Sequence, residues 1–210
     1  MTIRVPTASP PPSTLATFLW PPASDVRAAL WRAILLALVG SALLTVSAKV
    51  QVPFWPVPMT MQTLVVLIVG AACGWRLGAA TVLLYLAIGA TGLPVFAGTP
   101  QRGAGVAYML GPTGGFLIGF LVSAMVTGAL AERGWGRRVI GIVALGAVGH
   151  VVIFAFGAGW LAARIGWPRA WAAGVQPFIP GAILKTALAA ALLQAGWVLV
   201  ARKRVTAGAR

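Results

Sequence analysis

The chain has 210 residues, of which 60 % are hydrophobic and only 9 % charged, with a net charge of +14. Its mean hydropathy of +0.93 excludes an ordinary soluble domain. The basic residues stand singly or in small groups between apolar runs, which argues against a nucleic-acid partner and for charges that flank and orient membrane spans.

Met1 to Ser24 holds six of the fifteen prolines, with Ser and Thr between them. Residues 1–25 therefore read as a proline-rich flexible N-terminal tail, and no uninterrupted apolar stretch of signal-peptide type follows the start. Ser24 or Asp25 is placed to cap the first helix. Residues 26–201 read as one all-α integral membrane domain of six transmembrane helices, and 202–210 as a basic cytoplasmic tail. The predicted spans are Val26–Ala48, Thr60–Gly74, Arg76–Ala90, Gly114–Ala131, Val139–Leu161 and Pro180–Val200. The second is short: fifteen helical residues cover roughly 22 Å against a hydrocarbon core of about 30 Å. It is expected to start inside the membrane beneath the linker KVQVPFWPVPM, which Pro53, Pro56 and Pro58 keep extended.

Between the third and fourth spans lies TGLPVFAGTPQRGAGVAYMLGPTG. Five glycines and three prolines between Thr91 and Thr113 oppose a continuous helix, yet the stretch is too apolar for a water-exposed loop. Irregular backbone at membrane depth persists only where protein buries it or where it lines a cavity. The segment is a candidate ligand site, with the proline linker as its second wall or lid. With both termini in the cytoplasm, Arg4, Arg27, Arg32, Arg76, Arg133, Arg137, Arg138, Arg202, Lys203, Arg204 and Arg210 lie inside, against Lys49, Arg102, Arg164 and Arg169 outside. This bias makes the irregular segment outward-facing.

Lys185 is the sharpest single candidate, one turn after Pro180-Gly181 at the outer end of the last helix. A buried lysine needs a partner, and the only acids, Asp25 and Glu132, fall on the opposite side. An anionic ligand supplies one; a lysine that snorkels to the interface needs none. Arg102 can hold a carboxylate in bidentate fashion or be a solvated loop residue. Tyr108 and Gln101 can add hydrogen bonds. His150, mid-span, reads as a relay or ligand donor, or as a histidine bonded to a neighbouring helix; Gln62 and Thr63 read as pocket polars or as capping and packing groups. Ala29, Ala33, Ala37 and Ser41 recur every four residues and form a smooth face for close helix approach, within the bundle or to a partner. No Ser-His-acid set, carboxylate pair, metal cluster or G-x-x-x-x-G-K-[ST] loop occurs, so no cofactor, metal or catalytic role is expected, and ATP must be bound by another subunit if it is used at all. The single cysteine, Cys73, excludes an internal disulfide.

The stretches VPFWPVPMTMQTLVVLIVGAACGWRLGAATVLLYLAIGATGLPVFAG, LGPTGGFLIGF and PFIPGAILK resemble the BioY family, the substrate-binding components of energy-coupling-factor (ECF) biotin transporters. The likeness covers about Val26 to Val200. It implies a six-helix bundle in the bacterial inner membrane with a biotin pocket near the outer face. It also implies a transmembrane coupling subunit and two ATP-binding subunits as partners, with small residues of the first helix, here Ala29, Ala33 and Ala37, at the docking surface. In the family pattern PF-x-PGD-x-x-K the Asp and Lys are implicated in biotin binding; here the Lys is Lys185, but Ala182 stands at the Asp position. The loss removes an acceptor for a ureido N–H. Phe54, Trp55, Phe96 and Tyr108 then offer apolar walls, while Lys185 and Arg102 meet the carboxylate, or Lys185 the ureido oxygen. Two other classes fit: a stand-alone or ion-coupled vitamin carrier with His150 as the titrating group, and a binding component for a different vitamin.

Overall fold

A chain with so few polar side chains must satisfy its backbone groups within its own segments wherever it meets lipid, and helices do this. The computed structural model describes residues 14–21, 24–52, 57–98, 101 and 103–208. The main elements are α2 (Val26–Lys49), α3 (Gln62–Cys73), α4 (Trp75–Ala90), α6 (Gly114–Glu132), α7 (Val139–Ile165) and α9 (Ile179–Gly208); shorter helices are α1 (Leu15–Leu19), α5 (Gly105–Met109) and α8 (Trp167–Gly174). Among the described residues, α2, α6, α7 and the stretch Trp167–Arg202 are long and apolar enough to cross a membrane. The helices α3 and α4, at about 18 and 24 Å, are shorter than the hydrocarbon core.

These two form a hairpin about Gly74, whose φ of 83° suits glycine alone. Their backbones close to contact: a Cβ on Gly78 would lie 3.2 Å from the Gly70 Cα. The Trp75 N–H at the head of α4 donates to Glu132 Oε1 across the turn, 3.2 Å. Helix α6 lies over this hairpin and against α7, α2 packs on α4, and α9 packs on α7 and α3. Small residues set these distances. A Cβ on Gly128 would meet Trp75 N at 2.5 Å, one on Gly119 the Ile153 Cα at 2.9 Å, and one on Gly115 the Phe156 carbonyl oxygen at close range. The GPTGG run thus serves helix packing: Gly114 and Gly115 seat α6 against Trp160, whose indole N–H donates to the Gly111 carbonyl, 2.9 Å.

Within the stretch read from sequence as a tail, residues 15–19 form α1. Leu15 is buried against Gly196, Phe18 meets Trp197 edge to face, and Arg32 donates to the Ala16 carbonyl, 2.9 Å. These contacts pin the segment to α2 and α9. The small residues of α2 divide between two environments. Ala37 and Ser41 are buried, and Gly40 lies against Thr81 of α4, while Ala29 and Ala33 are half-exposed. Many large apolar residues of α2, including Leu30, Trp31 and Val46, face outward, while Leu44 is fully buried.

Substituting Gly128 by Ala is expected to destabilise the detergent-solubilised protein by about 1–3 kcal/mol, because backbone atoms of the neighbouring turn block the added methyl. Gly159→Ala, which meets nothing within 4 Å, should be neutral or stabilise by up to about 1 kcal/mol. Thermal unfolding of the pair checks this, and equal midpoints would contradict the close-packing account.

Candidate functional site

The linker, the irregular segment and the start of α9 meet at one end of the bundle. Strands β1 (Gln51–Val52) and β2 (Met59–Thr60) pair antiparallel, Gln51 opposite Thr60, and carry the proline linker between them. The irregular segment forms turns and the short α5; Gly92, Gly98, Gly103 and Gly105 all have positive φ, which is why no single helix spans it. It is nonetheless buried at Val95, Phe96, Ala97 and Tyr108.

Lys185 is 7 % exposed and its ammonium donates to the Thr60 carbonyl, 2.6 Å. A helical side chain leans toward the helix N-terminus, so the lysine folds back over the preceding turn. A Cβ at Gly181 would sit 3.9 Å from Nζ, in ordinary contact with it. Neither acid serves it. Asp25 caps α2 by accepting from the Ala28 N–H, and Glu132 lies about 24 Å along α6 from Phe116, which lines the same cavity as Lys185.

From Thr60 a directed chain of hydrogen bonds runs into the bundle. The Thr60 hydroxyl donates to Gln62 Oε1, 3.3 Å, Gln62 Nε2 to the Tyr85 hydroxyl, 2.7 Å, and Tyr85 to the Val95 carbonyl, 3.2 Å. A buried tyrosine hydroxyl needs such partners. The chain joins the linker, α3, α4 and the irregular segment. Phe96 stacks on Tyr108 at 4.9 Å, 11° between planes, and meets Tyr85 edge to face at 5.5 Å. Its ring lies directly on Gly89, where a side chain would collide with it. Lys49 donates to the Phe96 carbonyl, 2.9 Å, tying the segment to the end of α2.

These groups surround a cavity of about 50 Å³, mostly apolar, with Thr60, Gln62, Thr63, Tyr108 and Lys185 as its polar edge and Phe116, Phe120 and Phe178 among its walls. It is smaller than the roughly 300–1,000 Å³ that small-molecule sites ordinarily span, and Val57 and Pro58 of the linker are among its walls.

Of the residues singled out in the sequence, Lys185, Tyr108 and Gln62 line the cavity. Phe96 stands behind Tyr108, fully buried. Gln101 is exposed. Phe54, Trp55 and Arg102 lie outside the described residues. His150 is bonded within the helices: its Nδ1 reaches the Gly146 carbonyl at 3.0 Å and Thr186 Oγ1 at 3.2 Å, and its Nε2 faces Thr63 Oγ1 at 3.4 Å. A carbonyl only accepts, so the proton sits on Nδ1 and Thr63 donates to Nε2. Sequence reasoning missed Tyr85 and Phe116; a lone tyrosine in an apolar span is the signal that pointed to the first.

The BioY family model matches residues 3–202. The chain is 38 % identical over 148 residues to the "Probable biotin transporter BioY" of Pyrococcus horikoshii, covering 70 % of this chain and 85 % of that one. It is 40 % identical over 176 residues to the "Biotin transporter BioY" of Rhizobium etli, covering 80 % and 89 %. The fold matches the crystal structure of the S-component for biotin from an ECF-type ABC transporter, with a TM-score of 0.70 at 22 % identity over 82 % of this chain and 93 % of that one. With its model covering nearly the whole length, and with an all-helical membrane fold shared with a solved structure, this chain belongs to the BioY family.

Proposed function

We propose that the chain is a membrane-embedded component of biotin uptake, which captures the vitamin from the outside and delivers it inward. The observation that carries this reading is Lys185, a buried ammonium held, among the described residues, by a backbone carbonyl alone, at the edge of an aromatic-walled cavity. Biotin presents an apolar bicycle, a ureido group and a carboxylate on a short chain. An ammonium that exchanges the Thr60 carbonyl for a ligand oxygen keeps a hydrogen bond throughout, and a charged acceptor makes that bond stronger. The names of the relatives support biotin over other ligands.

In this reading Tyr108 and Gln62 supply further polar contacts, and the aromatic walls take the bicycle. Phe54, Trp55, Arg102 and Gln101 supply further ligand contacts in this reading. Six helices cross the bacterial inner membrane, α3 and α4 included, with both termini cytoplasmic and the site outward. Residues 26–201 form the binding domain between the two tails. The energy comes from an ECF module, a transmembrane coupling subunit with ATP-binding subunits, docked along α2. Its half-exposed Ala29 and Ala33 allow close approach, whereas Ala37 is already engaged within the bundle.

A second reading, a component for another vitamin, is favoured by one observation: Ala182 stands where the family pattern has an acid, which removes an acceptor from the site.

Calorimetric titration of the detergent-solubilised protein with biotin tests the proposal. Saturable binding is expected, and its absence in both the unaltered chain and Ala182→Asp would point to the other vitamin. Lys185→Ala should weaken biotin roughly ten- to hundred-fold, the cost of an unpaired ligand acceptor; near-normal binding would remove the lysine from the site. Tyr85→Phe, which keeps the ring and cuts the chain to Val95, should weaken binding by about tenfold or less, one neutral hydrogen bond's worth.

A further inference from the structure

Helix α7 approaches its neighbours α3 and α9 at glycines. A Cβ on Gly146 would lie 2.6 Å from Thr186 Cγ2 of α9, and one on Gly149 would collide with Leu67 of α3. Beside Gly149, and one turn after Gly146, stands His150, 4 % exposed. Its Nδ1–H is shared between the Gly146 carbonyl, 3.0 Å, and the Thr186 hydroxyl, 3.2 Å, and the Thr63 hydroxyl donates to Nε2 across 3.4 Å. A neutral imidazole, with one donor nitrogen and one acceptor, answers both sides. A single planar ring thus reaches from α9 to α3. Thr186 directly follows Lys185 in the chain, and Thr63 directly follows Gln62. Lys185, Gln62 and Thr63 all line the cavity, and His150 stands behind that lining. Two ties therefore join α9 to the head of α3. One is direct, from the Lys185 ammonium to the Thr60 carbonyl, 2.6 Å. The other runs from Thr186 through His150 to Thr63. The direct tie uses the group that a ligand would take; the second uses none.

We propose that His150 is a positioning residue of the ligand site: by holding Thr63 of α3 and Thr186 of α9 one ring's width apart, it keeps Lys185 and Gln62 facing the same cavity when a ligand takes the ammonium from Thr60. This rests on the reading of the cavity as a ligand site, and deepens it. Without the ring, the register of α9 against α3 rests on helix packing and on the Lys185–Thr60 bond, and that bond is the one a ligand breaks. Binding then has to order the lysine as well as contact it, and affinity falls by that cost. The role requires no change of protonation. A side chain with one donor and one acceptor that reaches the same hydroxyls replaces the imidazole.

Two measurements test this separately. In the first, biotin is titrated by calorimetry into the unaltered chain, His150→Ala, Lys185→Ala and the double variant. His150→Ala alone should weaken biotin by about tenfold. In the Lys185→Ala background it should add less than about twofold, because residues that act through one another are not additive. Equal losses in the two backgrounds overturn the role, since a merely structural histidine costs the same in both. His150→Gln, whose amide offers a donor and an acceptor, should bind within about threefold of the unaltered chain; a loss as large as that of His150→Ala overturns the positioning account. The second measurement needs no ligand. Lysines are reductively methylated with formaldehyde and cyanoborohydride, and the peptides are read by mass spectrometry. Relative to the exposed Lys49, Lys185 should react at least about threefold faster in His150→Ala than in the unaltered chain, as local opening becomes easier. Equal rates overturn the tie whatever the ligand is. Should His150→Ala fail to fold, Thr186→Val, which keeps the shape of the side chain and removes its hydroxyl, serves in both measurements with a smaller effect. No biotin binding by the unaltered chain ends the biotin reading instead, and the methylation rates then decide the tie alone.

Discussion

Close approach of helix backbones is the constraint on which this molecule depends. Within a membrane there is little hydrophobic gain from bringing two helices together, so packing and small residues must do it. Helix α6 illustrates the principle along its length. Gly114 and Gly115 rest on Trp160, Gly119 on the Ile153 backbone, and Gly128 on the turn between α3 and α4. These contacts fix α7 and the α3–α4 hairpin relative to one another. The site stands on that frame: Gln62 and Thr63 come from the first turn of α3, Phe116 and Leu117 from α6, and Ile153 and Phe154 from α7.

On this scaffold sits a buried cation that the chain does not neutralise. The two acidic side chains are both used at helix ends, and among the described residues Lys185 meets a backbone carbonyl and no carboxylate. That arrangement satisfies one N–H and keeps the ammonium available to an acceptor of higher charge. The carbonyl belongs to Thr60, on the strand that ends the proline linker, and Thr60 is bonded through Gln62 and Tyr85 to Val95 in the other irregular segment. The cation, the linker and the segment are therefore one hydrogen-bonded unit.

Membership of the BioY family and the departure at position 182 bear on the same place. The acid of the family pattern would stand three residues before the lysine and so share its side of the helix. In this chain Ala182 stands there, which removes an acceptor from the site.

The membrane class and the main helices were legible in the chain, because each depends on local sequence. Long uncharged runs must be helical in lipid, prolines and glycines interrupt them, and a lysine in the last helix stands out where acids are so few. The predicted starts and ends of α2, α6 and α7 fall within a few residues of those observed. What the sequence left open was which of its polar residues meet. His150 had two readings; beside its bond to the Gly146 carbonyl of its own helix, the placement of Thr63 and Thr186 on neighbouring helices gives it the bonds that join the helices. Tyr85 carried no motif, yet it joins Gln62 to Val95. GPTGG was distinctive as a string, but its physical task, seating α6 on Trp160, depends on a helix about forty residues away. The small residues every four along α2 were equally ambiguous, since periodicity defines a face and says nothing of its neighbour. A sequence determines which groups lie on one face of one helix; which face comes to lie against it is decided by how closely the backbones can pack, and that belongs to the tertiary structure.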